Sequence, residues 1–559
     1  MEYVKEKHNL GEWGEWKAAL AYLYRISKGQ RKRILITCMA GIAEAIFSLA
    51  FVYASKLIID IATGSTSGFW WKAGLWALFF LILRLILTGI NTWYTNRMEV
   101  ESANNLRRTL FMQLLKTQWN EAEKFHSGDL INRIEQDVNK VVSLITVSVP
   151  ALIVTIVRFS AAFSLFFFLD KVLPWITLGI LLLCIPLARI YTRYMRQYTR
   201  TIRKQDSKIQ SLVQESLQYR TVVKTLERDA WSIDQLHNLQ EDLREQVNKR
   251  TVFSVFSNVS LSLAFWGSYL AAFIWGAIKL QTGGITFGTM TAFIQLSGRL
   301  QRPAMDMSRL APTFVDVLTA IERLQELESL PEDERNTPIR FGTAPQIYVE
   351  GVSFSYGEEE PIVMENLSLE FPAGSRTAIV GKTGAGKTTL IRLLLGLMSP
   401  QAGKIRLVGT DTDGENRDVP ISVDTRGNFV YVPQGNTLFS GSIKDNLLMG
   451  KPEATDEELY TALHIAVADF IEELPDGIHT LLNEKGGGLS EGQAQRIAIA
   501  RSLLRPGNIM LFDEATSALD THTEAQFMEN LATHCQGKTC IFVTHHPELA
   551  KLCERTYKL

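Results

Sequence analysis

The chain has 559 residues, with 58 Lys and Arg against 59 Asp and Glu, for a formal net charge of −1. With a pI near 6.8, this balance gives no global pull toward nucleic acid or acidic partners, and the length exceeds what one compact domain usually holds. Mean hydropathy of +0.03 averages two unlike parts: the first ~310 residues carry long apolar runs, and the rest reads as an ordinary soluble α/β domain.

The first ~33 residues are polar and aromatic, without the short apolar core or small-residue cleavage site of a cleavable signal peptide. Within them Glu12–Arg25 (EWGEWKAALAYLYR) has the pattern of an amphipathic elbow helix lying at the membrane surface. A soluble helix packed on the cytoplasmic domain is the alternative.

A bilayer core needs about 20 apolar residues in a helix. Six segments qualify: Ile34–Ile59, Trp70–Trp93, Val141–Leu169, Val172–Tyr191, Val252–Leu280 and Ile285–Leu310. Arg158 interrupts the third, and the sixth is the weakest by hydropathy. Asp60–Gly68, Asp170–Lys171 and Gln281–Gly284 are short connections. The other two are long and rich in Lys and Arg, as is the stretch Lys28–Arg33 before the first span. Positive charge marks the cytoplasmic side, so a multi-pass membrane protein with six crossings and both termini in the cytoplasm is expected. The long loops carry helical patterning, for example over Ser207–Leu226, as if the spanning helices continue into the cytoplasm.

Glu44, Arg84 and Arg158 stand within apolar spans, where each is costly unless paired or facing water. A polar cavity contacting substrate is one reading, with two arginines suited to an anionic head group. A structural ion pair of Glu44 with Arg84 or Arg158 is the other. Of the five cysteines, Cys38 and Cys184 lie in apolar helices and Cys535, Cys540 and Cys553 in the soluble part. Their spacing fits neither a metal site nor a disulfide framework, so reduced, buried thiols are expected.

Glu328–Pro345 (ESLPEDERNTPIRFGTAP) is polar and Pro-containing, a linker signature. From Gln346 onward short β-branched runs alternate with helical patterns, as in an α/β domain. The chain therefore divides into 1–33, an elbow region; 34–327, a six-helix α-helical transmembrane domain; 328–345, a linker; and 346–559, a P-loop α/β nucleotide-binding domain.

Gly381–Thr388 (GKTGAGKT) fits the phosphate-binding pattern, with a strand expected over Arg376–Val380 and a helix over Thr389–Leu397. Gly381, Thr383, Gly384, Ala385 and Gly386 let backbone N–H groups close on phosphate. Lys387 reaches the β/γ-phosphates, the Thr388 hydroxyl suits Mg²⁺, and Thr389 follows on the helix. Ile509–Glu514 (IMLFDE) reads as a buried parallel strand. It delivers Asp513 to the Mg²⁺ shell and Glu514 to the attacking water as the catalytic base. Ser490, Gly492 and Gln493 of LSEGQ stand at the start of a helix over Ala494–Leu504, a good anion site.

LSEGQ resembles the signature motif of ATP-binding-cassette proteins, with Glu491 replacing a glycine. The resemblance extends across nearly the whole chain, and points to the family's exporter branch in half-transporter form. Tyr356 in FSYG matches the aromatic that stacks on adenine. Gln434 in YVPQ matches the glutamine that links Mg²⁺ to the membrane domain. Leu438–Leu447 (LFSGSIKDNL), Glu484 in NEKGGG as a coupling acid, and Ser517–Asp520 (SALD) follow in the family's order. His545 in FVTHH matches the switch histidine that contacts γ-phosphate as a second catalytic group. Phe125–Val138, Gly283–Met307 and Thr319–Leu327 look like recurring stretches of the membrane half. The family usually runs further past the switch histidine than Leu559, so whatever that tail supplies is expected to be absent or unnecessary.

The resemblance implies ATP and Mg²⁺ as cofactors and a two-chain working unit. Each ATP lies between Lys387 of one motor and Ser490 of another, in a homodimer or in a heterodimer with a homologous half-transporter. Segments Gln118–Phe125 and Leu217–Thr225 would pass motor closure to the membrane helices. The expected activity is ATP-driven export or flipping of a lipid, drug or peptide by alternating access. An ATPase that gates or senses through the membrane is the alternative. An importer motor, usually a separate soluble chain, is disfavoured, and an N-terminal peptidase domain has no room before the first span.

Overall fold

The computed structural model describes residues 12–357, 360–382, 384–483 and 487–559. The chain divides into two compact units: a membrane unit running through Phe111 and over Gly128–Glu328, and a motor unit of Met112–Ser127 with Ser329–Leu559.

Amphipathic helix α1 (Glu12–Ile26) opens the described part of the membrane unit. Six long helices follow: α2 (Arg31–Ala62), α3 (Trp70–Lys116), α5 (Ser127–Leu169), α6 (Leu173–Gln218), α8 (Asp229–Gln281) and α9 (Phe287–Glu328). The short helix α4 (Trp119–Glu123) follows α3, and α7 (Arg220–Thr225) follows α6. At 1.5 Å per residue, the 53 residues of α8 span about 80 Å, far more than a bilayer core of about 30 Å. The patterning that continues beyond the apolar stretches is thus helix, broken at Tyr219 rather than running unbroken over Ser207–Leu226.

Among the described residues α2, α3, α5 and α8 are long and apolar enough to cross a membrane. The fourth and sixth expected segments lie almost wholly within α6 and α9, which are helical throughout. Outward-facing apolar side chains such as Trp70, Leu85, Phe168 and Leu263 are more than half exposed, the pattern of a lipid-facing surface. Inside, Val52, Phe166, Leu173, Ala272, Phe293 and Leu296 form a core, with the Phe166 and Phe293 rings 5.7 Å apart.

Helix α5 contains two π-helical stretches, Arg133–Asp137 and Leu144–Ser148. The first carries Arg133 and Asp137, both buried. Arg133 pairs with Glu326 at 2.6 Å and Arg323 with Asp137 at 3.0 Å, fastening α5 to α9.

Segment Met112–Ser127, which the sequence assigns to the transmembrane domain, groups instead with the motor unit. Its backbone explains why: Gln118 N–H donates to Pro331 O at 3.0 Å and Asp333 N–H to Lys116 O at 2.8 Å.

In the motor unit, β1 (Gln346–Phe354), β2 (Met364–Phe371), β4 (Ala402–Thr410) and β5 (Asn416–Pro420) form an antiparallel sheet in the order β2-β1-β4-β5. The central parallel sheet has the order β11-β3-β10-β9-β6, from β3 (Arg376–Val380), β6 (Phe429–Val432), β9 (Ile509–Asp513), β10 (Thr539–Thr544) and β11 (Arg555–Lys558). Short strands β7 (Gly441–Ser442) and β8 (Leu481–Leu482) pair separately, with helices α11 (Ile443–Leu448) and α12 (Asp456–Ile465) between them in sequence. Every residue of β9 and β10 is buried, as expected of strands covered on both faces. β11 pairs with β3 in parallel register, Lys558 opposite Val380, a terminal strand without an apolar run to announce it. Cys540 is buried in β10, and Cys38, Cys535, Cys540 and Cys553 are free thiols; the Cys184 side chain lies outside the described residues.

Candidate nucleotide site and membrane cavity

Three neighbouring strands of the central sheet, β3, β10 and β9, deliver the site. In parallel sheets, ligands bind beyond the carboxyl ends of the strands. There β3 runs into the P-loop, β9 ends at Asp513, and His545 follows β10.

The P-loop turns on two glycines in left-handed backbone, Gly384 at φ 84° and Gly386 at φ 89°, which side-chain-bearing residues adopt only at a cost. A Cβ on Gly386 would sit 3.1 Å from Val363 Cγ1. Helix α10 (Lys387–Leu394) begins directly after. Lys387 is largely buried, and its Nζ donates to Gly381 O at 2.8 Å and Lys382 O at 3.2 Å. Thr388 is exposed at the helix start. Thr389 is buried and shares a 2.9 Å hydrogen bond with the Tyr356 hydroxyl. Thr383 lies outside the described residues, as does Glu484.

Glu514 is where the expected residues converge. Its carboxylate accepts from Gln434 Nε2 at 2.9 Å and lies 3.8 Å from Lys387 Nζ and 3.7 Å from His545 Nδ1. The backbone is strained to put it there: Glu514 has φ 47° and is held by its N–H on Val543 O at 2.9 Å. A non-glycine residue in this region costs of order 1–3 kcal/mol. Asp513, next to it, is buried, and burial raises its carboxyl above the usual range. The Glu514 charge adds to that rise, while the Tyr431 hydroxyl, donating at 3.3 Å, opposes it.

The donors Asp513, Thr388 and Gln434 are all oxygen-bearing, which suits a hard cation such as Mg²⁺. Among the described residues no group of three or more His, Cys, Asp or Glu side chains could hold a metal ion.

Ser490 caps helix α13 (Glu491–Leu503): its Oγ accepts from Gln493 N at 3.2 Å, and Gln493 Oε1 accepts from Ser490 N at 2.9 Å. This capping box leaves the remaining N–H groups of the first turn as an anion-binding end. Glu491 is exposed and stands aside from these bonds. At Gly492 a Cβ would come within 2.7 Å of Ala518 O, so the glycine is needed for the close approach of the SALD turn.

Sequence reasoning missed three side chains here. Buried Gln495 donates to Glu514 O at 3.4 Å and accepts from Ala518 N at 3.1 Å, tying helix α13, the acid and the SALD turn together. Tyr431 holds Asp513, and Arg392 holds Tyr356, donating to its hydroxyl at 3.1 Å. Tyr356 is 45% exposed, leaving ring surface open for stacking.

In the membrane unit Glu44 accepts from Arg84 Nε at 3.1 Å and pairs closely with Arg158. The three side chains line a cavity of about 440 Å³ together with Ser48, Tyr269, Gln295 and Arg299. The structural ion pair expected as one reading is present, and the paired groups face a cavity. Arg299, in the weakest span, went unnoticed; it donates to Ser48 Oγ.

Loop, acid and histidine at adjacent strand ends define a P-loop ATPase joined to a bundle of long apolar helices. A family model for the ABC transporter transmembrane region matches residues 34–304, and one described as ABC transporter matches residues 364–517. An uncharacterized ABC transporter ATP-binding protein of Bacillus subtilis is 30% identical over 536 residues, covering 92% of this chain and 85% of that one. An ATP-dependent lipid A-core flippase of Desulfotalea psychrophila is 30% identical over 85% of this chain and 83% of its own. In fold, the chain matches a bacterial Atm1-family ABC exporter with ATP bound at a TM-score of 0.76, with 23% identity over 95% of this chain and 93% of that one. The chain belongs to the ABC transporter family. It joins one transmembrane region to one ATP-binding cassette, the arrangement of a half-transporter, and is a membrane protein that hydrolyses ATP to drive transport.

Proposed function

We propose that two chains, either two copies of this one or this one with a homologous half-transporter, close over two ATP molecules and thereby export an amphiphile with an anionic head group. The observation that carries the ATPase reading is the meeting of Lys387, Gln434 and His545 on the Glu514 carboxylate. In each site Lys387 and the P-loop amides bind the phosphates, and Tyr356 stacks on the base. Ser490, Gly492 and Gln493 of the other chain close the far side at a helix N-terminus. Glu514 takes the proton of the attacking water, and His545 donates to the γ-phosphate. Mg²⁺, held by Thr388, Asp513 and Gln434, would screen phosphate charge. The basic loops orient the motor, and with it both termini, toward the cytoplasm.

The amphiphile reading is supported by the described part of the cavity lining, where three guanidiniums, Arg84, Arg158 and Arg299, stand against one carboxylate, Glu44; guanidinium is suited to phosphate and carboxylate. The Desulfotalea relative's name, a lipid A-core flippase, points the same way. Protein reconstituted in vesicles should show ATPase stimulation and ATP-dependent flipping of a fluorescent anionic lipid, and weaker effects with a zwitterionic one of equal chain length. Equal responses would remove the charge preference. ATPase activity without any movement would instead favour a gate or sensor.

A further inference from the structure

Arg392 stands on α10, five residues after Lys387, and its guanidinium reaches side chains from two other parts of the motor unit. Nη1 donates to the Tyr356 hydroxyl at 3.1 Å, and Nη2 lies 3.0 Å from Glu123 Oε1. Cζ sits 5.9 Å from the centre of the Trp119 ring, within cation–π range. Trp119 and Glu123 are the first and last residues of α4, in the connection between the long helices α3 and α5. The Tyr356 ring is held in turn: its hydroxyl shares a hydrogen bond with Thr389 at 2.9 Å, and Phe354 packs edge-on at 5.2 Å.

The fork of a guanidinium can serve a phenol oxygen and a carboxylate at once while presenting a flat face to an indole; an ammonium serves them as a point charge. The Glu123 side chain is 42% exposed, and partly exposed ion pairs contribute little stability. The consequence of the arrangement is geometric: the pose of the Tyr356 ring and the position of α4 depend on the same side chain.

We propose that Arg392 is a positioning residue that ties the Tyr356 ring to α4, so that binding of the nucleotide base and the placement of α4 are linked through one guanidinium. The proposal rests on the reading of Tyr356 as the base-stacking residue. Linkage of this kind is reciprocal: displacing α4 weakens base binding, and a bound base holds α4.

The test uses the full-length protein in lipid nanodiscs and reads KM for ATP, which does not depend on the fraction of protein that is active. Tyr356→Ala checks the underlying reading, with an expected rise of about tenfold, in the range of base–aromatic stacking. An unchanged KM there removes the base-stacking assignment itself. Glu123→Gln, on α4, should raise KM about three- to tenfold with kcat within about twofold, a coupling size usual for residues sharing a partner. Combining it with Arg392→Gln should give no further rise, and Arg392→Lys should only partly restore the wild-type value. If Tyr356→Ala raises KM while Glu123→Gln leaves it unchanged, or if the Glu123 and Arg392 effects multiply, the linkage is overturned and the base-stacking reading stands.

Discussion

Gln434 holds the Glu514 carboxylate through a 2.9 Å hydrogen bond. The glutamine follows β6 and the acid follows β9, neighbouring parallel strands with Val432 opposite Phe512. Under the proposed mechanism the amide holds the general base in place by one hydrogen bond from the end of the neighbouring strand.

Glu514→Gln keeps the shape of the side chain and removes its basicity. ATP affinity should stay within a few-fold while the hydrolysis rate falls about 10²- to 10⁴-fold, the usual contribution of a general base. Single-turnover hydrolysis alongside equilibrium nucleotide binding checks this. A variant with normal turnover would remove Glu514 from its role.

Lys387→Ala removes a buried ammonium from the P-loop. Charged hydrogen bonds contribute about 1.5–3 kcal/mol, so ATP affinity should fall roughly 10- to 100-fold. Unchanged binding by calorimetry would contradict the P-loop assignment.

Gly492→Ala places a methyl group 2.7 Å from Ala518 O. Backbone cannot yield as a flexible side chain does, so the SALD turn must shift, at a cost typical of overpacking, about 1–3 kcal/mol. A lower melting temperature together with a lost majority of ATPase activity is expected; the same substitution at exposed Gly537, at φ 77° with no atom within 4 Å and outside the nucleotide site, tests backbone strain alone.

Burial pushes the Cys540 thiol up to about 12 and that of Cys553 to about 11, from an ordinary 9.0. A thiol raised on folding stays protonated in the native motor while the unfolded chain ionises. Its contribution is therefore complete below pH ~9 and is lost as pH climbs toward the folded values. Denaturant midpoints should fall between about pH 9 and pH 11, and less steeply in Cys540→Ala. Native protein at pH 8 should react with iodoacetamide at these two positions far more slowly than unfolded protein does.

The parts of this molecule legible in the sequence are those written in neighbouring residues. GKTGAGKT and IMLFDE carry their glycines, apolar run and acids in order, and both appear at the strand ends where they were expected. Glu44, Arg84 and Arg158 stood out because charge in an apolar run is rare. That all three face one cavity depends on how three helices pack, which no single run records. Arg299 was obscured because its span is weakly apolar to begin with. Gln495, Tyr431 and Arg392 act through tertiary contacts with residues 19 to 269 positions away, and nothing local distinguishes them from ordinary helix or strand residues. The grouping of Met112–Ser127 with the motor rests on backbone hydrogen bonds to Pro331 and Asp333, again invisible to periodicity.

The most direct measurement of the central claim, that each ATP is shared by two chains, is complementation. Chains carrying Lys387→Ala are mixed with chains carrying Ser490→Arg, and the purified mixed dimer is assayed for ATPase activity. A site built across two chains leaves one of the two sites in that dimer intact, so activity should return although each variant alone is inactive. The pairing of wild type with a chain carrying both changes should instead leave no intact site. No recovery in the first mixture, or full activity from a wild-type chain that remains monomeric with ATP and magnesium, would contradict the account.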